Sequence, residues 1–340
     1  MKTVASKAWD MLRVIGRGGP ALCNVAVTNA CNAGCDFCNF ARGKVGISNL
    51  RWIDADLFDR ALAILHKRDI RYVSFFGGET LLHRRLAEMI AMAVKMGMGP
   101  AVITNGWLLP TQLDELAAAG IRSATSRMPS LGMTPLAQVT MSKLIENYRT
   151  LVPLLRDLGF QAVAFSYPQK AKLGSSSLAW STDSRLVNFT DSELVAAFDA
   201  VDDLRSIFPV NNPRASVADM KRHLRGEPEQ FVCYGGYKSF YMDWNYDMWR
   251  CDAWDKRMCP VWEFAEAQFI RDGCTACIAD CYRDSSVMLH FAVSLGDAID
   301  RASQGHVLSA LQTLWDMRNA GSLGAVAENA HILSRLAKVG

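Results

Sequence analysis

Residues 22–38 read LCNVAVTNACNAGCDFC: a short apolar run centred on Asn24–Thr28 that passes within a few residues into Cys31, Cys35 and Cys38. A run of this length, rich in Val and small residues and closed by a polar segment, reads as a buried strand. The same unit recurs down the chain. Further strands are expected at Tyr72–Phe76, Ala101–Thr104, more weakly Ile121–Thr125, then Ala137–Thr140 and Ala162–Ser166. Helices fit between most of them. Asp54 suits the cap of a helix from Ala55 to about His66, Thr111 with Asp114 has the form of a capping box before Leu116–Ala119, and Ser142 to Leu158 supplies the helix before the last strand. Alternating strands and helices predict an α/β chain built on a parallel sheet or barrel. Only eleven residues separate Thr125 from Ala137, with Pro129, Gly132 and Pro135 among them. That is too short and too broken for a helical crossover, so one βα element is shortened, distorted or missing here.

Composition narrows the class. At 340 residues, 50% hydrophobic and 21% charged, the chain has enough apolar material for one large or two smaller globular domains, which excludes disorder and collagen-like repeats. The formal net charge of +3 gives no sign of a nucleic-acid surface, and no specific nucleic acid is expected. The stretch Met1–Gly19 carries Lys2, Lys7, Asp10, Arg13 and Arg17 and lacks the apolar core of a secretory signal; the apolar stretch Leu86–Val102 is interrupted by Glu88 and Lys95. A cytoplasmic protein is expected. Val4, Ala8, Met11, Leu12 and Ile15 recur at helical spacing, so residues 1–20 form a helix packed on the domain, with peripheral membrane contact as the alternative.

The ten cysteines are clustered, which points to metal ligation in a reducing compartment. Cys31, Cys35 and Cys38 form a C-x3-C-x2-C run. Three thiolates on one tight loop each suit one iron of a cubane, leaving the fourth iron open; zinc would need a fourth ligand, and no His lies near. With the aromatic Phe37 before the third cysteine, this run resembles the signature of the radical S-adenosylmethionine (radical SAM) superfamily. The resemblance implies a partial (β/α)6 TIM-like barrel over 21–172, with its chemistry at the C-terminal strand ends. Gly77-Gly78-Glu79 after the second strand resembles the family's GGE motif, which binds the amino group of SAM. Two glycines admit close backbone approach and an exposed carboxylate pairs with an ammonium, although Gly-Gly-Glu is also a common turn. Asn105, in Thr104-Asn105-Gly106 after the third strand, is a candidate cofactor contact or a plain turn residue. Ser142 is a candidate for the SAM ribose or carboxylate. The family's polar motif at the fourth strand is not recognisable in Ile121–Pro129.

A second set, Cys233, Cys251, Cys259, Cys274, Cys277 and Cys281, lies in a small cysteine-rich α+β module over 231–288. The segment around Asp243–Asp247 alternates aromatic and polar residues, as a β-hairpin would, and delivers a cysteine from each end. The arrangement resembles the SPASM/twitch extension of radical SAM enzymes. That implies an auxiliary [4Fe-4S] cluster on Cys233, Cys251, Cys274 and Cys277, with Cys281 or Cys259 as substitutes; a structural zinc is the alternative. Tyr246 departs from the pattern, standing where glycine is usual. The aromatic crowding from Phe240 to Trp262 reads as the module's own core, and Cys23 as a core residue. Asp284 and His290 are acid-base candidates, against the plainer reading as a cap or surface contact.

Between barrel and module, residues 173–230 hold the Ser-rich stretch Leu173–Asp183, a lid or a linker, and two helices: Asp191–Arg205 behind a Thr190/Glu193 capping box, and Val217–Leu224 capped by Ser216. Residues 289–340 read as a helical tail. Together the resemblance implies an enzyme that uses SAM at an open [4Fe-4S] cluster to generate a 5′-deoxyadenosyl radical, served by a reductant such as flavodoxin or ferredoxin. The expected substrate is a small molecule or lipid, since CTACIADCYRD (274–284) followed by an apolar helix is similar to the adenosylhopene transferase group. A peptide substrate is the alternative within the family. A non-catalytic iron-sulfur carrier or zinc-stabilised binding module is the alternative of another class, against which the open cluster and GGE speak.

Overall fold

Strand β1 (Ala21–Thr28) is the centre of the molecule, described in a computed structural model over residues 4–121, 136–168, 184–254 and 256–330. Cys23, Val25, Ala26 and Val27 are buried whichever way they point, as expected for a parallel strand covered on both faces. On one side β1 pairs in parallel with β2 (Ile70–Gly77), which pairs with β3 (Gly99–Val102). On the other side it pairs in parallel with β6 (Ser239–Met242), in register from Leu22 opposite Ser239 to Val25 opposite Met242. Antiparallel β7 (Asp247–Trp249) and β8 (Arg257–Pro260) complete six strands in the order β3-β2-β1-β6-β7-β8. A second sheet pairs β4 (Leu136–Thr140) with β5 (Ala162–Ser166) in parallel.

The expected α/β architecture, a parallel-sheet core with a helical C-terminal region, is present, and each expected strand within the described residues is found. Of the weak strand at Ile121–Thr125 only Ile121 is described, outside any strand; the short interval before Ala137 and the stretch Leu173–Asp183 lie outside the described residues. Three helix starts differ from the sequence reading. Helix α4 (Leu109–Ala118) begins before Thr111, with Pro110 in its first turn, so the Thr111/Asp114 box is not used. Only α5 (Leu151–Asp157), behind a short 3-10 turn, occupies the 142–158 segment, because Asn147 caps that turn and breaks the run. Ser216 lies inside α7 (Arg214–Leu224), whose N-cap is Pro213. Asp54 does cap its helical segment, and Thr190 with Glu193 forms the expected box ahead of α6 (Asp191–Leu204). Helices α2 (Phe58–Lys67) and α3 (Leu86–Lys95) cover β1–β3.

The 231–288 segment is bound into the main sheet. Phe240, Met242, Tyr246, Met248 and Phe264 share one apolar core with Val25, Phe58 and Phe75, so these aromatics do not form a core of their own. Cys23 belongs to that core, as expected. Helix α8 (Asp280–Ser303) then runs back across the sheet, followed by α9 (Val307–Leu314) and α10 (Arg318–Glu328). Among the described residues no helix is long and apolar enough to cross a membrane.

Helix α1 (Val4–Gly16) reaches β1 through Gly18 and Gly19, both at positive φ. α8 presses on this turn: a Cβ at Gly296 would sit 2.5 Å from the Gly18 nitrogen. Lys238 closes the junction, its Nζ donating to the carbonyls of Arg17 and Gly19, both at 2.9 Å. Burial pushes the Lys238 ammonium down to about 8. Because the folded state holds fewer protons than the unfolded chain between that value and the ordinary 10.5, stability should rise with pH in this window. Urea unfolding from pH 8 to 10 should show that rise in the native protein, and Lys238→Met should lack this part of the slope.

Candidate metal centres and cofactor site

Beyond β1 the chain is stapled before it reaches the first cysteine. Thr28 Oγ1 donates to the Arg51 carbonyl (2.7 Å) and accepts from Ala30 N–H (3.0 Å). Asn29 donates to the Asn49 carbonyl (3.0 Å) and accepts from Arg51 N–H (2.8 Å). With its base held, the loop folds on itself: Arg42 N–H donates to Ala33 O (2.7 Å) and Cys38 N–H to Cys35 O (3.3 Å). Ser184 Oγ reaches in from the segment before α6 to bond Asp36 (2.6 Å). Burial and the neighbouring cysteines raise the Cys31 and Cys38 thiols, with Glu79 adding to the effect at Cys31. The three thiols therefore sense one another. Phe37 between them is half-buried.

Gly77-Gly78-Glu79 docks against the start of this loop. Gly78 N–H donates to Thr28 O (2.8 Å) and Glu79 N–H to Ala30 O (2.7 Å). Gly77 has φ +140°, and a Cβ at Gly77 or Gly78 would lie 2.2 Å from Thr28 O or 2.1 Å from Ala30 O. Both glycines are thus required by backbone contact alone. Glu79, expected as an exposed carboxylate, is fully buried. Oε1 accepts from Leu81 N–H (2.9 Å) and the Thr104 hydroxyl (2.6 Å), and Oε2 from Asn105 N–H (2.8 Å). A carboxylate offers about four acceptor positions, so one further donor, such as an ammonium, can be accommodated. The Asn105 side chain donates to Asn32 Oδ1 (2.7 Å), tying the end of β3 to the cysteine loop. Three motifs on adjacent strands therefore meet. Ser142 lies after β4, outside the six-stranded sheet, and its hydroxyl accepts from Leu144 N–H (3.2 Å).

In the second set, Cys233, Cys251 and Cys277 pack with Tyr282, Trp254 and Ala279. Cys233 N–H donates to Cys274 O (2.8 Å), which brings in the fourth. Cys281, in the first turn of α8, lies near Cys251 and Cys277. Cys259 does not join them: on β8 it pairs with Met248 of β7, and the charges around it are those of Glu263, Arg257, Arg68 and Asp247. Among the described residues no three His, Cys, Asp or Glu side chains gather around a point that would hold one metal ion. A cubane, which takes each thiolate on a different iron, makes no such demand.

The sequence reading missed what holds this second set. Arg283, fully buried, forms ion pairs with Asp219 (3.4 Å) and Glu229, and donates to Phe231 O (3.0 Å) and Cys274 O (3.4 Å). Asp219 in turn accepts from Gln230 N–H (2.6 Å) and Phe231 N–H (3.0 Å). Arg250 grips Asp272 with two bonds (2.5 and 2.6 Å) two residues before Cys274. Asp284 is no cap. It accepts from Ser216 Oγ (2.5 Å), Asn212 Nδ2 (2.8 Å) and Tyr167 OH (3.4 Å) at the end of β5, and burial pushes it up to about 6.

Residues 25–128 match the model of the radical SAM superfamily. This segment, under a third of the chain, is a radical SAM domain. GTP 3′,8-cyclase of Chlorobaculum tepidum is 30% identical over 125 residues, 36% of this chain and 37% of that protein. GTP 3′,8-cyclase of Heliobacterium modesticaldum is 30% identical over 128 residues, 37% of this chain and 39% of that protein. The matched part thus spans under two-fifths of these relatives. Among solved structures, SuiB of Streptococcus suis bound to S-adenosylmethionine is similar at a TM-score of 0.49 and 13% identity, covering 68% of this chain and 60% of that one. SAM and a [4Fe-4S] cluster are the cofactors that this family match supports, and Cys31, Cys35 and Cys38 make a fitting soft donor set.

Two substitutions test the framework. Gly78→Ala drives a methyl into the carbonyl next to Cys31, so urea unfolding should show a loss above about 2 kcal/mol, with iron depleted at the first centre. Arg283→Met removes the cation shared by two buried carboxylates, leaving Asp219 its two backbone donors and Glu229 its contact with His223 (2.8 Å), and should cost about 3–5 kcal/mol by the same measurement, part of it recovered when Glu229→Gln is added.

Proposed function

We propose that the chain is a radical SAM enzyme acting on an unactivated carbon of a small-molecule or lipid substrate, with Cys31, Cys35 and Cys38 holding the SAM-binding cluster. The observation that carries this is the bonding of the cysteine loop, Gly77-Gly78-Glu79 and Thr104-Asn105 to one another at three neighbouring strand ends. With the cofactors bound, the chemistry supplied is reductive cleavage of SAM to a 5′-deoxyadenosyl radical that removes a substrate hydrogen or adds to a double bond. The chain's own residues bind and position. Glu79 offers its remaining acceptor position to the SAM ammonium, while Thr104 and the Asn105 amide hold that carboxylate in place. Gly77 and Gly78 keep side chains out of the space beside it. Asn105 and Phe37 border the cofactor. A contact from Ser142 to SAM would have to come from the other sheet and is not part of this reading. Enclosure matters because a primary radical reacts with whatever lies nearest.

Cys233, Cys251, Cys274 and Cys277, with Cys281 one turn further on, would hold an auxiliary [4Fe-4S] cluster that accepts an electron from the substrate radical or shapes its pocket. A flavodoxin or ferredoxin would supply the reducing electron. Anaerobic reconstitution with iron and sulfide should load about eight irons per chain, two cubanes. Reduction in the presence of SAM should release 5′-deoxyadenosine. Replacing Cys31, Cys35 and Cys38 together with Ala should leave about four irons and abolish 5′-deoxyadenosine. About four irons with one zinc in the native protein would mean that the second set holds zinc; release of 5′-deoxyadenosine undiminished in the triple variant would overturn the assignment of the first centre.

A further inference from the structure

The cysteine loop is fastened at both ends, and by different halves of the molecule. Its near end, just before Cys31, is held by β2, where Gly78 and Glu79 donate to Thr28 O and Ala30 O. Its far end carries Cys35 and Cys38, and the residue that follows Cys35 is gripped twice. The Lys44 ammonium donates to the Asp36 carbonyl from further along the same loop. Ser184 Oγ donates to the Asp36 carboxylate at 2.6 Å, from 148 residues away in sequence. Asp36 is exposed and Ser184 is buried, so the hydroxyl is the fixed partner and the acid is the group that comes to it.

Ser184 is itself held. Its carbonyl accepts from Val187 N–H (3.2 Å) and Asn188 N–H (3.1 Å), and its hydroxyl accepts from Leu186 N–H (3.2 Å), which closes residues 184–188 into a turn. Leu186 O accepts from Lys143 N–H (2.8 Å), just past the end of β4, and Phe189 is buried in the core that also holds Ala137 of β4, Phe165 of β5 and Phe198 of α6. The Cys35–Cys38 end of the loop is thus bonded, through Asp36, to the sheet that β1 and β2 do not belong to. A hydroxyl on a carboxylate makes one of the stronger hydrogen bonds, and this one spans two cores.

We propose that Asp36 is a positioning residue for SAM: by bonding Ser184 it holds Cys35 and Cys38 in a fixed place relative to Glu79. A nucleotide gripped by the open iron and by Glu79 binds only as well as those two points are spaced. The proposal rests on the first centre holding the SAM-binding cluster. Titrating SAM into the reduced, reconstituted full chain and following the change in its electron paramagnetic resonance spectrum measures the affinity. Ser184→Ala, a change outside the cysteine loop, should weaken SAM about ten-fold, the loss expected for one hydrogen bond to a charged group, with iron content unchanged and KM for SAM rising more than kcat falls. Asp36→Ala should give the same loss, and Asp36→Asn, whose side-chain carbonyl still accepts from Ser184, should restore most of it. Joining Ser184→Ala to Asp36→Ala should add nothing, since both remove one bond. Native SAM affinity in Ser184→Ala, or losses that add in the double variant, overturns the proposal and leaves the first centre standing. A native spectrum indifferent to SAM overturns both. If Ser184→Ala lowers the melting point, Asp36→Asn against Asp36→Ala decides alone.

Discussion

Two amide hydrogens at the end of β2 bond two carbonyls at the end of β1, and the candidate site rests on that crossing. Gly78 and Glu79 reach Thr28 and Ala30 at 2.8 and 2.7 Å, an approach that no side chain at Gly77 or Gly78 would permit. The consequence is registration. Cys31 follows directly on Ala30, and the Glu79 carboxylate follows directly on Gly78, so one backbone contact fixes the first thiol relative to the acid. Thr104 and Asn105 extend the same lock to β3 through Glu79, and Asn105 returns it to the loop through Asn32. Glycine here secures close packing of chain on chain as well as room for a ligand.

Much of this was legible along the chain. A run such as Asn24–Thr28 is local information: its apolar character, its length and the polar residues closing it are all contained in one stretch, and β1, β2, β4 and β5 fall where those signals place them, while β3 lies two residues earlier than expected. The three motifs were readable for the same reason, each being contiguous. What they do to one another was not. Glu79 looked like an exposed acid because nothing in its neighbours names Thr104, twenty-five residues on, as the hydroxyl that covers it. Likewise Thr111 looked like a cap because its spacing to Asp114 is right, yet Pro110 is already tolerated in the first turn and the helix starts ahead of both.

Long-range pairing accounts for the larger differences. The expected hairpin forms, β6 pairing with β7, but β6 also pairs with β1, more than two hundred residues earlier, and periodicity within the segment carries no trace of that choice. Tyr246 is instructive. Glycine would be natural there because the residue adopts φ +64°. The tyrosine is retained by what lies across the fold: its hydroxyl donates to the Asp54 carbonyl and its ring packs on Trp262, centroids 5.2 Å apart. Arg283 carries no signal of its own because an arginine just past the last cysteine looks solvated until Asp219 and Glu229 arrive from other elements to bury it.

Helix α8 shows how the second set of cysteines is tied to the two sheets. Its first turns face β5 through Asp284 and the Cys274 carbonyl through Arg283; the next turn accepts Tyr234 N–H on Ser286 Oγ (2.7 Å) and sets Ser285 against Ser239 (3.0 Å). Further along, Ala292 and Gly296 bear on the glycine turn before β1. A helix buried on several faces in this way cannot shift along one contact without disturbing the others. The placement of Cys233 and Cys274 is therefore coupled, through a single rigid element, to the start of the strand that ends in Cys31. Two cysteine sets two hundred residues apart in sequence are held in one frame by that helix rather than by any bond between them.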